Sequence, residues 1–181
     1  MIQKILLVFG TRPEAIKMAP VVREFESIKN IDARVCVTAQ HGEMLDQVLN
    51  FFDISPDYDL NLMAPNQSLN QIASKILNKI DEVLIDFMPD LVLVHGDTTT
   101  SSFTALAAFH NGIKVGHIEA GLRTYNKRAP FPEELNRQIS GRVADYHFAP
   151  TQWACNNLLS EKVAEKSIVK TGNTVIDALH L

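Results

Sequence analysis

The amino-acid sequence predicts an α/β fold in which helices alternate with the strands of a doubly wound, mainly parallel sheet. Three observations carry this expectation. Apolar runs such as Lys4–Phe9 (KILLVF), Leu91–Val94 and Lys114–Ile118 are short and lack clean alternation, as strands buried on both faces do. The stretches between such runs place apolar residues at helical spacing. The central stretch, Asp90 to Thr124, reads strand–helix–strand, a βαβ unit. Its two strand runs each end at a histidine followed two residues later by a carboxylate, His95-Gly96-Asp97 and His117-Ile118-Glu119. Parallel strands present both tips at their carboxyl edge, where open α/β sheets bind ligands. Two acids are therefore expected to face one cleft.

The elements follow in order. Lys4–Phe9 leads into Gly10-Thr11-Arg12-Pro13-Glu14, where Thr11 and Glu14 have capping-box spacing and Pro13 suits a first helical turn. Ala15, Met18, Ala19, Val22 and Phe25 then make one apolar stripe, and Pro20 is expected to kink the helix or loosen a backbone bond. Arg34–Ala39 is the second strand, ending at Gln40-His41-Gly42, and Met44, Leu45, Val48, Leu49 and Phe52 give the next helix its face. Asp53–Leu62 is a connection with one short strand, Tyr58–Leu62, and Met63–Gln67 is a loop. Ser68 caps the longest helix, in which Leu69, Ile72, Ala73, Ile76, Ile80, Val83, Leu84 and Phe87 keep the 3.6-residue period until Pro89. In the central unit Phe103, Leu106, Ala107 and Phe109 supply the helix face. Beyond Glu119 a polar loop reaches Pro132, a helix start followed by Leu135, Ile139 and Val143 on one side. Asp145–Ala149, a helix from Pro150-Thr151, the strand Ser167–Thr171 and a short apolar segment Val175–Leu181 complete about six alternating units.

Composition excludes several classes. A 46% hydrophobic content over 181 residues supplies a real core, and a net charge of −4 without a basic stripe argues against nucleic-acid binding. No apolar run approaches the ~18 residues of a membrane span, and no signal-peptide pattern opens the chain. Cys36 and Cys155 lack CxxC spacing and read as buried free thiols, consistent with a cytoplasm. No GxGxxG follows a strand, which weighs against a dinucleotide cofactor.

Arg12 at a helix N-terminus, with Lys17 one turn further in, makes an anion site or else a cap beside a solvated arginine. Asp97 is either an N-cap or a carboxylate that moves protons in the cleft. Glu119 has less structural excuse, since it follows a strand and precedes a glycine-containing turn, whereas Glu133 in a first helical turn offsets the helix dipole. His-x-Asp and His-x-Glu also admit a metal centre; against it, neighbouring side chains on an extended backbone diverge and no third ligand group appears. The residues alone describe an anion-binding site with several titratable acids.

Read together, GTRPEAIKMAP, VTAQHGEMLDQVL, PDYDLNL, LVLVHGDTTT, VGHIEAGLRT, PFPEELNRQ and TGNTVIDAL resemble the non-hydrolysing UDP-N-acetylglucosamine 2-epimerases of bacteria, in order from residue 5 to 180. The hydrolysing relatives, which release free N-acetylmannosamine, typically begin GSRAEYG instead of GTRPEAIK. The resemblance implies two Rossmann-like halves in the manner of GT-B glycosyltransferases, with the active site between them. It makes residues 1–172 the N-terminal Rossmann-like domain and 173–181 the start of a linker to a second domain. That second half normally supplies much of the uridine and diphosphate pocket and a functional histidine. The chain alone is therefore expected to fold but not to turn over.

The implied reaction interconverts UDP-N-acetylglucosamine and UDP-N-acetylmannosamine for cell-surface polysaccharide precursors, with no nicotinamide or other cofactor and no metal. UDP is eliminated to give a 2-acetamidoglucal and re-added after a proton returns to the other face of C2. Inversion needs proton transfer on both faces, hence more than one acid. By resemblance Asp97, Glu119 and Glu133 are the catalytic carboxylates, and Arg12 and Lys17 lie near the nucleotide. Gln40, His41 and Glu133 fall at positions where many members bind a second substrate molecule as activator. An arginine common at that site in some members aligns near Asn66 here. The whole protein is expected to be a cytoplasmic homodimer, with neither nucleic acid nor membrane as partner.

Overall fold

The computed structural model describes residues 3–38, 42–62, 64 and 66–181. Seven strands form one sheet: β1 (Gln3–Phe9), β2 (Ile31–Val37), β3 (Tyr58–Asp59), β4 (Leu91–His95), β5 (Lys114–Ile118), β6 (Tyr146–Ala149) and β7 (Ile168–Lys170). Their order is β3-β2-β1-β4-β5-β6-β7, and every pairing is parallel. Seven helices connect or follow them: α1 (Arg12–Ser27), α2 (Gly42–Phe51), α3 (Leu69–Phe87), α4 (Thr99–His110), α5 (Glu133–Val143), α6 (Gln152–Ser160) and α7 (Val175–Ala178).

The unalternating apolar runs follow from burial on both sides of the sheet. Ile5, Leu7 and Phe9 of β1 pack with Ala15, Met18 and Val22 of α1 and Leu45 of α2. Leu6 and Val8 point the other way, into a layer with Ile76, Ile80 and Phe87 of α3 and Val92 and Val94 of β4. Both cysteines are free and buried. Thr11 and Glu14 form the expected capping box of α1, and Ser68 caps α3 in a second box with Gln71. Helix α1 runs on through Pro20.

Three departures of the structure from local reading bear on how the elements pack. The strand expected at Tyr58–Leu62 stops at Asp59, because Asn61 takes a left-handed φ of 43° and breaks the extended run. Helix α4 buries only part of the stripe expected of it: Ala107 is buried and Phe103 packs on the core, but Phe109 is exposed, and the rest of the inward face is Thr99, Thr100, Ser101, Ser102, Thr104, Ala105 and Ala108. Helix α5 likewise exposes Leu135 and buries Glu134, Asn136, Ser140 and Gly141. Small residues let α4 and α5 approach closely, and Ser102 Oγ donates to Asn136 Oδ1 at 3.2 Å across their contact. After β7 the chain turns back, and Ala178 of α7 packs on the core layer that contains α1.

Candidate active site

Strand order reverses between β1 and β4, so the loops after these strands part and open a crevice at the carboxyl edge. The chain must come very close to its neighbours here. A Cβ on Gly10 would lie 2.1 Å from Thr38 Oγ1 and 2.7 Å from Thr100 Oγ1, so only glycine fits. The buried Glu14 carboxylate ties the two loops together. It accepts from the Gly10 and Thr11 backbone N–H groups at 3.0 and 2.8 Å, from Thr98 Oγ1 at 2.7 Å and from Ser101 Oγ at 3.0 Å. Burial pushes its pKa up against those four donors.

Glu119 sits just beyond β5 with φ of 63°, a left-handed backbone uncommon for a residue with a side chain. Three distant parts of the chain surround its carboxylate. Lys17 Nζ from α1 contacts both oxygens at 2.7 and 2.8 Å, and Asn173 Nδ2, beyond β7, donates to Oε1 at 2.9 Å. His95 Nε2, at the end of β4, lies 3.6 Å from Oε2. The His95 ring is buried, and desolvation lowers its pKa to about 4 despite the nearby Glu119 charge. It is therefore a neutral neighbour at pH 7.

Asp97 follows β4, the strand paired with β5, at the same edge of the sheet. Its alternative role as a cap is excluded, because Thr98 Oγ1 caps α4 by accepting from Ser101 N–H at 3.1 Å. The Asp97 carboxylate pairs with Arg137 at 2.7 Å. Burial raises its pKa; Arg137 opposes that shift, while the charges of Glu119 and Glu133 add to it. Asp97 is thus a carboxyl group that keeps a proton to higher pH than an ordinary aspartate. Behind it, the fully buried Glu134 accepts from Thr124 N–H and Tyr125 N–H at 3.0 Å each and from Gln138 Nε2 at 2.7 Å. Burial works to raise the Glu134 pKa, but these donors and Arg137 outweigh it, and the net shift is downward. Asn136 Nδ2 donates to the Asp97 carbonyl at 3.0 Å, completing the clamp of α5 on the loop.

The structure thus brings Lys17, Asp97, Glu119 and Glu133 into one electrostatic neighbourhood. Arg12 is exposed and lines a groove of about 500 Å³ with Gln47, Phe51, Val175 and Leu181. Gln40 and His41 lie outside the described residues. Neither strand-end histidine projects into the cleft edge as a free polar tip. His117 is fully buried, with Nε2 2.6 Å from the Gly96 carbonyl, and desolvation lowers its pKa to about 3. Its ring is neutral, with the Nε2 proton donated to that carbonyl. Among the described residues no three His, Cys, Asp or Glu side chains converge as a metal site would require. Sequence reasoning missed Glu14, Glu134, Arg137 and Asn173 as site builders. Of these only Glu14 carried a local signal, its capping-box spacing; the rest meet their partners through the fold.

Comparison with known proteins agrees with this construction. A family model for UDP-N-acetylglucosamine 2-epimerase matches residues 23–181. The UDP-N-acetylglucosamine 2-epimerase of Salmonella borreze is 61% identical over 176 residues, covering 97% of this chain and 47% of that protein. The Bacillus subtilis enzyme of the same name is 59% identical over 177 residues, covering 98% and 47%. The crystal structure of the Neisseria meningitidis UDP-GlcNAc 2-epimerase bound to UDP-GlcNAc superposes with a TM-score of 0.96 at 58% identity, over 98% of this chain and 48% of that one. A lipopolysaccharide galactosyltransferase, at 14% identity and a TM-score of 0.69, shares the fold alone. Fold and crevice together define a Rossmann-like α/β domain of the GT-B type, with acids and a lysine gathered at the switch point. The chain belongs to the UDP-N-acetylglucosamine 2-epimerase family, and it spans about half the length of the curated relatives it matches.

Proposed function

We propose that this chain is the N-terminal half of a non-hydrolysing UDP-N-acetylglucosamine 2-epimerase and forms one wall of its active site. The observation that carries the reading is a pair of carboxyl groups held in unlike surroundings at the ends of the adjacent strands β4 and β5. Glu119 is fixed by Lys17 and Asn173, and Asp97 has its pKa raised by burial. Removing an unactivated C2 proton needs a fixed base, and returning one to the other face needs a second carboxyl group whose surroundings favour its protonated form more than those of an ordinary aspartate. Two carboxyl groups in unlike surroundings divide that work. Glu133, whose charge reaches Asp97, is the third acid of the set. Lys17 and Arg12 are cations suited to diphosphate charge on the departing UDP, which must stay close for re-addition.

On this reading residues 173–181 begin the linker to a second domain that completes the nucleotide pocket. Residues 1–181 alone leave the glucal exposed to water and do not epimerise. The whole protein works as a cytoplasmic homodimer; no helix among the described residues is long and apolar enough to cross a membrane. Gln40, His41 and Glu133 are proposed to belong to a neighbouring activator site. The test is incubation of the whole protein with UDP-N-acetylglucosamine in D2O. Both UDP-sugar epimers appear with deuterium at C2, and Asp97→Asn and Glu119→Gln each lower turnover by about 10²-fold or more. Epimers without deuterium, or only free sugar and UDP, refute the mechanism.

A further inference from the structure

Asn173 has no assigned role, yet it touches the carboxylate on which the proposed chemistry depends. Its side chain is fixed at both ends. The Oδ1 atom accepts from Val175 N–H at 3.1 Å in a local turn at the start of α7. A backbone N–H can only donate, so that bond settles which way the amide faces, and the amino group must point at Glu119. There Nδ2 donates to Oε1 at 2.9 Å. Lys17 contacts the same carboxylate from α1, 102 residues away in sequence, while Asn173 reaches it from 54 residues away on the other side. Both Lys17 and Asn173 are partly shielded from solvent, and Glu119 sits on a left-handed backbone.

An ammonium is a compact charge on a flexible stem and fixes a carboxylate in distance far better than in rotation. A planar amide whose other end is already bonded supplies the missing directional constraint. We propose that Asn173 is a positioning residue that orients Glu119 for proton transfer at C2, with Lys17 supplying charge and Asn173 supplying angle. The proposal rests on the epimerase reading for its catalytic consequence, although the contact itself does not. In this role Asn173 acts through Glu119.

Two substitutions separate this role from a purely structural one. Asn173→Asp keeps the acceptor that caps Val175 but turns an oxygen, and a negative charge, toward Glu119. Asn173→Ala removes both bonds. In the whole protein, the expected result is that Asn173→Asp lowers kcat for C2 epimerisation by about tenfold or more while KM changes little, and is at least as impaired as Asn173→Ala. Crystal structures of the two variants should show the Glu119 carboxylate rotated away from its position in the parent. If the role is only to cap α7, Asn173→Asp keeps parental kcat and Asn173→Ala alone is defective, which overturns the proposal. An unmoved Glu119 in both variant structures overturns it as well. Failure of the parent protein to exchange C2 hydrogen refutes the epimerase reading instead, and the crystallographic comparison still decides whether Asn173 orients Glu119.

Discussion

Helix α3 and the helix pair α4–α5 cover the same face of the sheet region in opposite ways. Along α3 the buried residues are Ala73, Ile76, Ile80, Val83, Leu84 and Phe87, a hydrocarbon stripe at helical period. Helices α4 and α5 bury threonines, serines, Asn136 and Glu134, and leave Phe109 and Leu135 in solvent. The first arrangement is stabilised by apolar area removed from water, which is non-directional and tolerant of small shifts. The second is held by hydrogen bonds, which fix distances and angles. The difference follows from position: α4 begins one residue after Thr98 and two after Asp97, and α5 begins at Glu133, so both helices start inside the crevice. A helix that only closes the core needs area, whereas helices that hold Asp97 and Glu133 need geometry.

Substitution in each region should break the protein differently. Phe87→Ala in α3 deletes a fully buried ring and should cost about 3–5 kcal/mol of stability, with the kcat of whole protein that stays folded close to the parent. Chemical denaturation paired with active-site-normalised turnover checks both halves. Equal loss of kcat would mean that α3, too, sets the crevice geometry.

Glu134→Gln in α5 is the converse. The new amide can face only one oxygen toward the Thr124 and Tyr125 N–H donors, so at least one partly buried N–H loses its bond to a charged acceptor, at about 1.5–3 kcal/mol. Because Glu134 also lies against Arg137, the partner of Asp97, turnover of the whole protein should fall by more than the stability loss explains. Turnover at parental level in this variant would reduce α5 to a scaffold like α3.

The finest distinction is in pH dependence. His95 and His117 are buried with pKa values lowered to about 4 and about 3, against 6.5 in an unfolded chain. Between about pH 6.5 and pH 4 the unfolded state binds protons that the folded state refuses. Stability is therefore full above pH 6.5 and falls as the pH drops through that window, by up to about 1.4 kcal/mol per pH unit for each ring. His117→Gln can preserve the bond to the Gly96 carbonyl without titrating, and the plot of unfolding free energy against pH should flatten in this window relative to the parent. An unchanged slope would show that the His117 ring takes up a proton in the fold. No such histidine sits on α3, where acidification should leave packing intact.

What the sequence determined by itself is whatever local pattern encodes. Two-sided burial dictates unalternating strands, so Lys4–Phe9 and Leu91–Val94 were legible as a parallel sheet, and with it the edge where Asp97 and Glu119 emerge. Caps were legible because Thr11–Glu14 and Ser68–Gln71 close their hydrogen bonds within one turn. The seven motifs, in order, made the family legible. Only the tertiary structure decided which groups hold those acids. Lys17 and Asn173 meet at Glu119 through strands whose pairing order no periodicity states, and Arg137 finds Asp97 because α5 packs across α4. The polar faces of α4 and α5 are not legible in the sequence for the same reason. A serine or a glutamate is stable inside only when a partner waits there, and that partner is supplied by another part of the chain.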